Sequence, residues 1–131
     1  NVVKELLRDD RVNPSANDNY AIFLASENGR LNVVQELLKD RRVDPAARYN
    51  YAIQTASENG HLNVVKELLR DDRVNPSAND NYAIFLASEN GRLNVVQELL
   101  KDRRVDPAAR YNYAIQTASE NGHLNVVKEL L

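Results

Sequence analysis

Apolar positions within residues 18–48 recur with two different spacings, and each spacing predicts a helix. Val33, Val34, Leu37 and Leu38 fall at i, i+1, i+4 and i+5, one face of a 3.6-residue period. Asn32 ahead of them is a capping type, Glu36 suits the positive end of the helix, and Lys39, Arg41 and Arg42 complement its carboxyl end. Upstream, Tyr20, Ala21, Ile22, Leu24 and Ala25 form a denser apolar stretch that opens after the capping types Asp18 and Asn19. It predicts a short first helix closed by Gly29 in the left-handed conformation, with Gly60, Gly91 and Gly122 in the same role. The segment Val43-Asp44-Pro45 ends the second helix, because Pro45 has no amide hydrogen and disfavours helical geometry at Asp44. The expected core is Val33, Val34, Leu37 and Leu38 with their equivalents, facing Ile22 and Ala25.

The pattern returns every 31 residues. Asn1, Asn32, Asn63, Asn94 and Asn125 open the same phrase, and residues 1–62 recur without change as residues 63–124. A fixed period of a few tens of residues is the mark of a solenoid, in which each unit buries its apolar face only against its neighbours. The expectation is therefore an all-α, helix-turn-helix repeat solenoid with extended inter-repeat loops, formed as one array over 1–131. Its units are 1–31, 32–62, 63–93 and 94–124, with a partial unit at 125–131. Helices this short are marginal alone, so packing between units must stabilise them.

The run from Tyr20 to Leu38 resembles the ankyrin repeat, whose helix pair carries TPLHxAAxxGHxxVVxxLL. The likeness is closest at Ala56, Gly60, His61, Val64, Val65, Leu68 and Leu69, and it extends over all four units. Tyr20-Ala21 and Tyr51-Ala52 stand where the family opens with Thr-Pro, and Phe23 or Gln54 where it has His. The loop carries Asn13-Pro14 or Asp44-Pro45 in place of the family's glycine-bearing turn. The resemblance implies an array that binds other proteins through its loops and first helices, which line a concave face.

Composition narrows the partners. Seventeen basic and nineteen acidic residues give a net charge of −2, which supplies no overall field for nucleic acid. No apolar run reaches the length of a membrane span. Cysteine is absent, which removes disulfides and thiolate metal sites and leaves the compartment open.

No constellation of reactive residues emerges, so neither catalysis, cofactor nor metal is expected. His61 and His123 are the only histidines, each in the turn between helices; a catalytic or metal role would need a second His or a thiolate within reach and none is available, so a turn-stabilising hydrogen bond is the expected role. Asp9-Asp10 and Asp71-Asp72 lack the alternating ligands, mid-loop glycine and closing glutamate of a calcium loop, and read as solvated helix ends. No serine sits in a nucleophile elbow.

The two alternating units differ at ten positions, six of them between Asn13 and Leu24, where the resemblance places the partner-facing surface. Candidate partner-binding residues are Asp18, Leu24, Arg48, Tyr49 and Thr55, with their copies Asp80, Leu86, Arg110, Tyr111 and Thr117. Tyrosine and arginine are the side chains most often found at the energetic centre of an interface. Phe23 and Phe85 are expected in the core, in the slot filled by Gln54 and Gln116 in the neighbouring unit. Val2, Val3, Leu6 and Leu7 at one end, and Val126, Val127, Leu130 and Leu131 at the other, repeat the buried pattern, so a continuous superhelix is expected, either covalent in a longer parent chain or formed by head-to-tail stacking of copies. The functional expectation is a non-enzymatic scaffolding array assembling with itself or along a repetitive partner; the alternative is an adaptor recognising one globular protein.

Overall fold

The computed structural model describes residues 1–131 and contains helices and turns but no strand. The helices are α1 (Val2–Arg8), α2 (Ala16–Glu27), α3 (Leu31–Leu38), α4 (Ala47–Glu58), α5 (Leu62–Leu69), α6 (Ala78–Glu89), α7 (Leu93–Leu100), α8 (Ala109–Glu120) and α9 (Leu124–Leu130). Each long helix pairs with the short one that follows it, and the pairs stack so that α2, α4, α6 and α8 form one row and the short helices another. The molecule is an all-α repeat solenoid.

The core lies between the rows. Ile22, Ile53 and Ile84 with Ala25, Ala56, Ala87 and Ala118 of the long helices meet Val34, Val65, Val96, Leu37, Leu68 and Leu99 of the short ones. Val33 and Leu38 are half-buried, although Val33's equivalents Val64 and Val95 are buried. Val43, Val74 and Val105, which the helical periodicity does not reach, plug the core from the loops. These loops are two tight turns separated by a dipeptide without regular structure, as at Val43-Asp44, rather than extended throughout.

All four glycines adopt positive φ, between 69° and 76°. Gly29 sits in a Schellman turn: Arg30 N–H donates to Ala25 O at 2.9 Å and Gly29 N–H to Ser26 O at 3.3 Å. This turn returns the chain to helical geometry at Leu31, with Arg30 in the capping position. Asn32 therefore lies inside the first turn and does not cap; only Asn1 does so, its Oδ1 accepting the Lys4 N–H at 2.8 Å. Asp18 and Asn19 are not caps either. With Asn17 they form three consecutive left-handed residues, φ 56°, 55° and 62°, before the right-handed helix begins. Asn and Asp tolerate this region better than other residues with a Cβ. The equivalent Arg48-Tyr49-Asn50 triplet has the same conformation without that tolerance at its first two positions, and hydrogen bonds from Arg48 to Asn17 O and Asp18 O and from the Asn75 N–H to Asn50 Oδ1 tie it to the units on either side.

Candidate interaction surface

Polar ties cross every junction between units. Asn19 Oδ1 accepts the Asp44 N–H at 2.7 Å, and Asn50 with Asn75 and Asn81 with Asp106 repeat the bond. Arg42 donates to Val12 O at 3.0 Å while gripping Asp40 at 2.7 Å, a latch repeated by Arg73 and Arg104 on Val43 and Val74. The Arg42 side chain's hydrogen bond, reinforced by its backbone N–H, lowers the Asp40 carboxyl to about 2. Asp9, Asp71 and Asp102 are lowered in the same direction, each first by its arginine two residues on.

Other ties alternate. His61 Nε2 lies 3.0 Å from Glu27 O, where Asn59 Nδ2 also donates at 3.0 Å, and His123 and Asn121 do the same at Glu89 O. Nε2 therefore carries the proton, and the histidine joins its turn to the preceding unit rather than bracing the turn itself. At the junction between, Arg92 alone occupies the corresponding carbonyl, Glu58 O, at 3.0 Å.

The long helices carry an aromatic strip with the same two-unit period. Phe23 is stacked between Tyr20 and Tyr51 at centroid distances of 5.5 and 4.9 Å, and the Arg48 guanidinium lies 5.3 Å above the Tyr20 ring. The same Arg48 donates to Asn17 O at 2.8 Å and to Asp18 O at 3.2 Å, fastening the left-handed triplet of the unit before it. Tyr82, Phe85, Tyr113 and Arg110 rebuild the cluster. Phe23 and Phe85 are thus half-buried strip residues, not core. Gln54, expected to be the more polar occupant of an equivalent slot, is buried where α4 is flanked by long helices on both sides, with its Nε2 on Tyr49 O at 2.8 Å; Gln116 makes the same bond from an exposed position in α8, whose one long-helix neighbour is α6.

The proposed partner-binding residues separate into two groups. Tyr49 and Tyr111 are 85% and 96% exposed at the tips of left-handed triplets, Asp18 and Asp80 stand at the equivalent tips, and Arg48 and Arg110 are half-buried beside them. Thr55, Thr117 and Leu86 lie buried in the seams between long helices, which takes them off the surface; Leu24, in the first long helix of the row, is 38% exposed. At the ends, Val2, Leu6 and Leu131 are exposed, Val3, Leu7, Val127 and Leu130 half-buried and Val126 buried. The asparagine staples went unread in the sequence. Their one signal was an Asn at the same position of every unit beside positions that change.

No group of three or more His, Asp or Glu side chains is arranged to hold a metal ion, and no helix is long and apolar enough to cross a membrane. A family model described as ankyrin repeats (3 copies) matches residues 1–80, 22–111 and 53–131. No curated protein matches the chain.

Proposed function

The chain belongs to the ankyrin repeat family, a protein-interaction fold, and from that premise we propose that it is a non-enzymatic scaffolding array that assembles with itself or along a repetitive partner. One observation carries the reading. The cluster of Arg48, Tyr20, Phe23 and Tyr51 is rebuilt side chain for side chain by Arg110, Tyr82, Phe85 and Tyr113, so the surface offers one site twice in fixed geometry. An irregular partner gains little from a second identical site, whereas a periodic partner gains avidity from each. Native mass spectrometry of the chain, alone and with proteins cross-linked to it, tests this. Regular ladders of copy number, or a bound protein that is itself repetitive, support the array. A one-to-one complex with one globular protein, indifferent to Arg110→Ser with Tyr111→Ser, overturns it in favour of an adaptor.

A further inference from the structure

The loop edge carries a charge pattern left over after pairing within the chain. Most ions there are satisfied locally: Lys39 pairs with Glu36 at 3.6 Å and Asp40 with Arg42 at 2.7 Å, and the same two pairs recur along the array. Asp44 is taken up by the Ala46 N–H at 2.9 Å. What remains at one shared unit position is Asp10, Arg41, Asp72 and Arg103, all exposed and none in a direct ion pair or side-chain hydrogen bond, with Asp10 and Asp72 in electrostatic reach of the latch arginines Arg42 and Arg104. The row reads acid, base, acid, base. A second row, at the left-handed tips, reads Asp18, Tyr49, Asp80, Tyr111, alternating a carboxylate that accepts hydrogen bonds with an exposed phenol that donates them; the Asp18 carboxylate also lies 3.8 Å from Arg48 and is 66% exposed, which leaves it open to a further partner.

Both rows share one symmetry property. Read in reverse, each becomes its own complement, so a second copy turned antiparallel places Arg103 against Asp10, Arg41 against Asp72, Tyr111 against Asp18 and Tyr49 against Asp80. The operation is a two-fold axis in the plane of contact, perpendicular to the rows, and it keeps each row opposite itself. Such an interface is isologous and closed. In-register parallel pairing would set like against like in the first row.

We propose that the loop edge is a self-recognition surface on which a second copy of this chain docks antiparallel, in the register set by these two rows. The inference rests on the reading of the array as self-assembling, and it names a side-by-side contact rather than one through the ends. Exposed ion pairs contribute little energy individually, so the pattern sets register and orientation while contact along the edge supplies the rest.

Charge-reversal sedimentation tests it. The chain should dimerise at low ionic strength and dissociate as salt rises. The Asp10→Arg, Asp72→Arg variant, with four positive tips, and the Arg41→Asp, Arg103→Asp variant, with four negative ones, should each lose the dimer, and mixing the two should restore a heterodimer. Reversing all four positions at once recreates the alternation and should dimerise as the original does, which controls for misfolding. A chain that stays monomeric under all these conditions overturns the pairing. So does a chain whose association survives both single-sign variants unchanged; that outcome leaves self-assembly standing, with its contact elsewhere.

Discussion

The side-chain oxygen of Asn50 accepts the backbone N–H of Asn75 at 2.7 Å, a bond spanning 25 residues that joins the start of one long helix to the loop before the next. Asn112 occupies the equivalent position in α8 with nearly the same φ, 64° against 66°, and makes no such bond. Both asparagines meet the same left-handed backbone, so replacing each by alanine carries the same conformational penalty. Asn50→Ala should therefore cost more than Asn112→Ala by about 1–2 kcal/mol, the value of one hydrogen bond plus a stranded donor. Urea unfolding of both variants measures it, and equal losses would show the staple contributes nothing.

Leu68 is fully buried between the rows, whereas Leu131, one unit position further along the repeat, is 90% exposed. Leu68→Ala should destabilise by roughly 2–5 kcal/mol and Leu131→Ala by a few tenths at most. Denaturant midpoints give both numbers, and a small loss at Leu68 would mean the short helices are docked by some other face.

Ser26, Ser57 and Ser88 bury their hydroxyls without a partner, while Ser119 donates to Ile115 O at 2.7 Å. A stranded hydroxyl costs its desolvation and returns nothing. Ser57→Ala should raise stability by about 1 kcal/mol, and Ser119→Ala should leave it unchanged or lower it. Thermal melts of the two variants decide the matter by sign alone.

The Asp40–Arg42 latch gives a pH dependence. The folded carboxyl lies near 2 against an ordinary 3.8, so the folded state binds this proton more weakly than the unfolded chain does. Its contribution is complete above about pH 5 and is lost as pH falls through 2. Asp40→Asn should flatten that limb of the stability curve, read by urea unfolding between pH 5 and pH 2, and an unchanged limb would show that the latch contributes nothing.

The sequence disclosed the repeat, the paired helices and the glycine turns because those depend on apolar spacing and on positive φ, both of which residue types report directly. It misplaced Asn19 because the side chain that suits a helix cap also suits left-handed backbone, and only the neighbouring Asp44 N–H settles which is used. Phe23 looked like core since aromatic residues usually are; here Ala25 and Ala56 bring the long helices close and leave Phe23 to stack along their outer edge. Leu86 and Thr55 looked like surface because they vary between units, yet they vary as occupants of one seam.

The alternation between junctions has a mechanical consequence. Where His61 and Asn59 share Glu27 O, Arg48 clasps Asn17 and Asp18, and Phe23 stacks on Tyr51, one unit is moored to the next by several ties beyond the shared apolar core; at the following junction the core is joined only by the polar ties of Arg92, Asn50 and Arg73. Under tension the array should behave as a string of doublets, yielding first between α4/α5 and α6/α7. Optical-tweezer traces should then show contour released in steps of 62 residues, and steps half that length would mean that all junctions are equally strong.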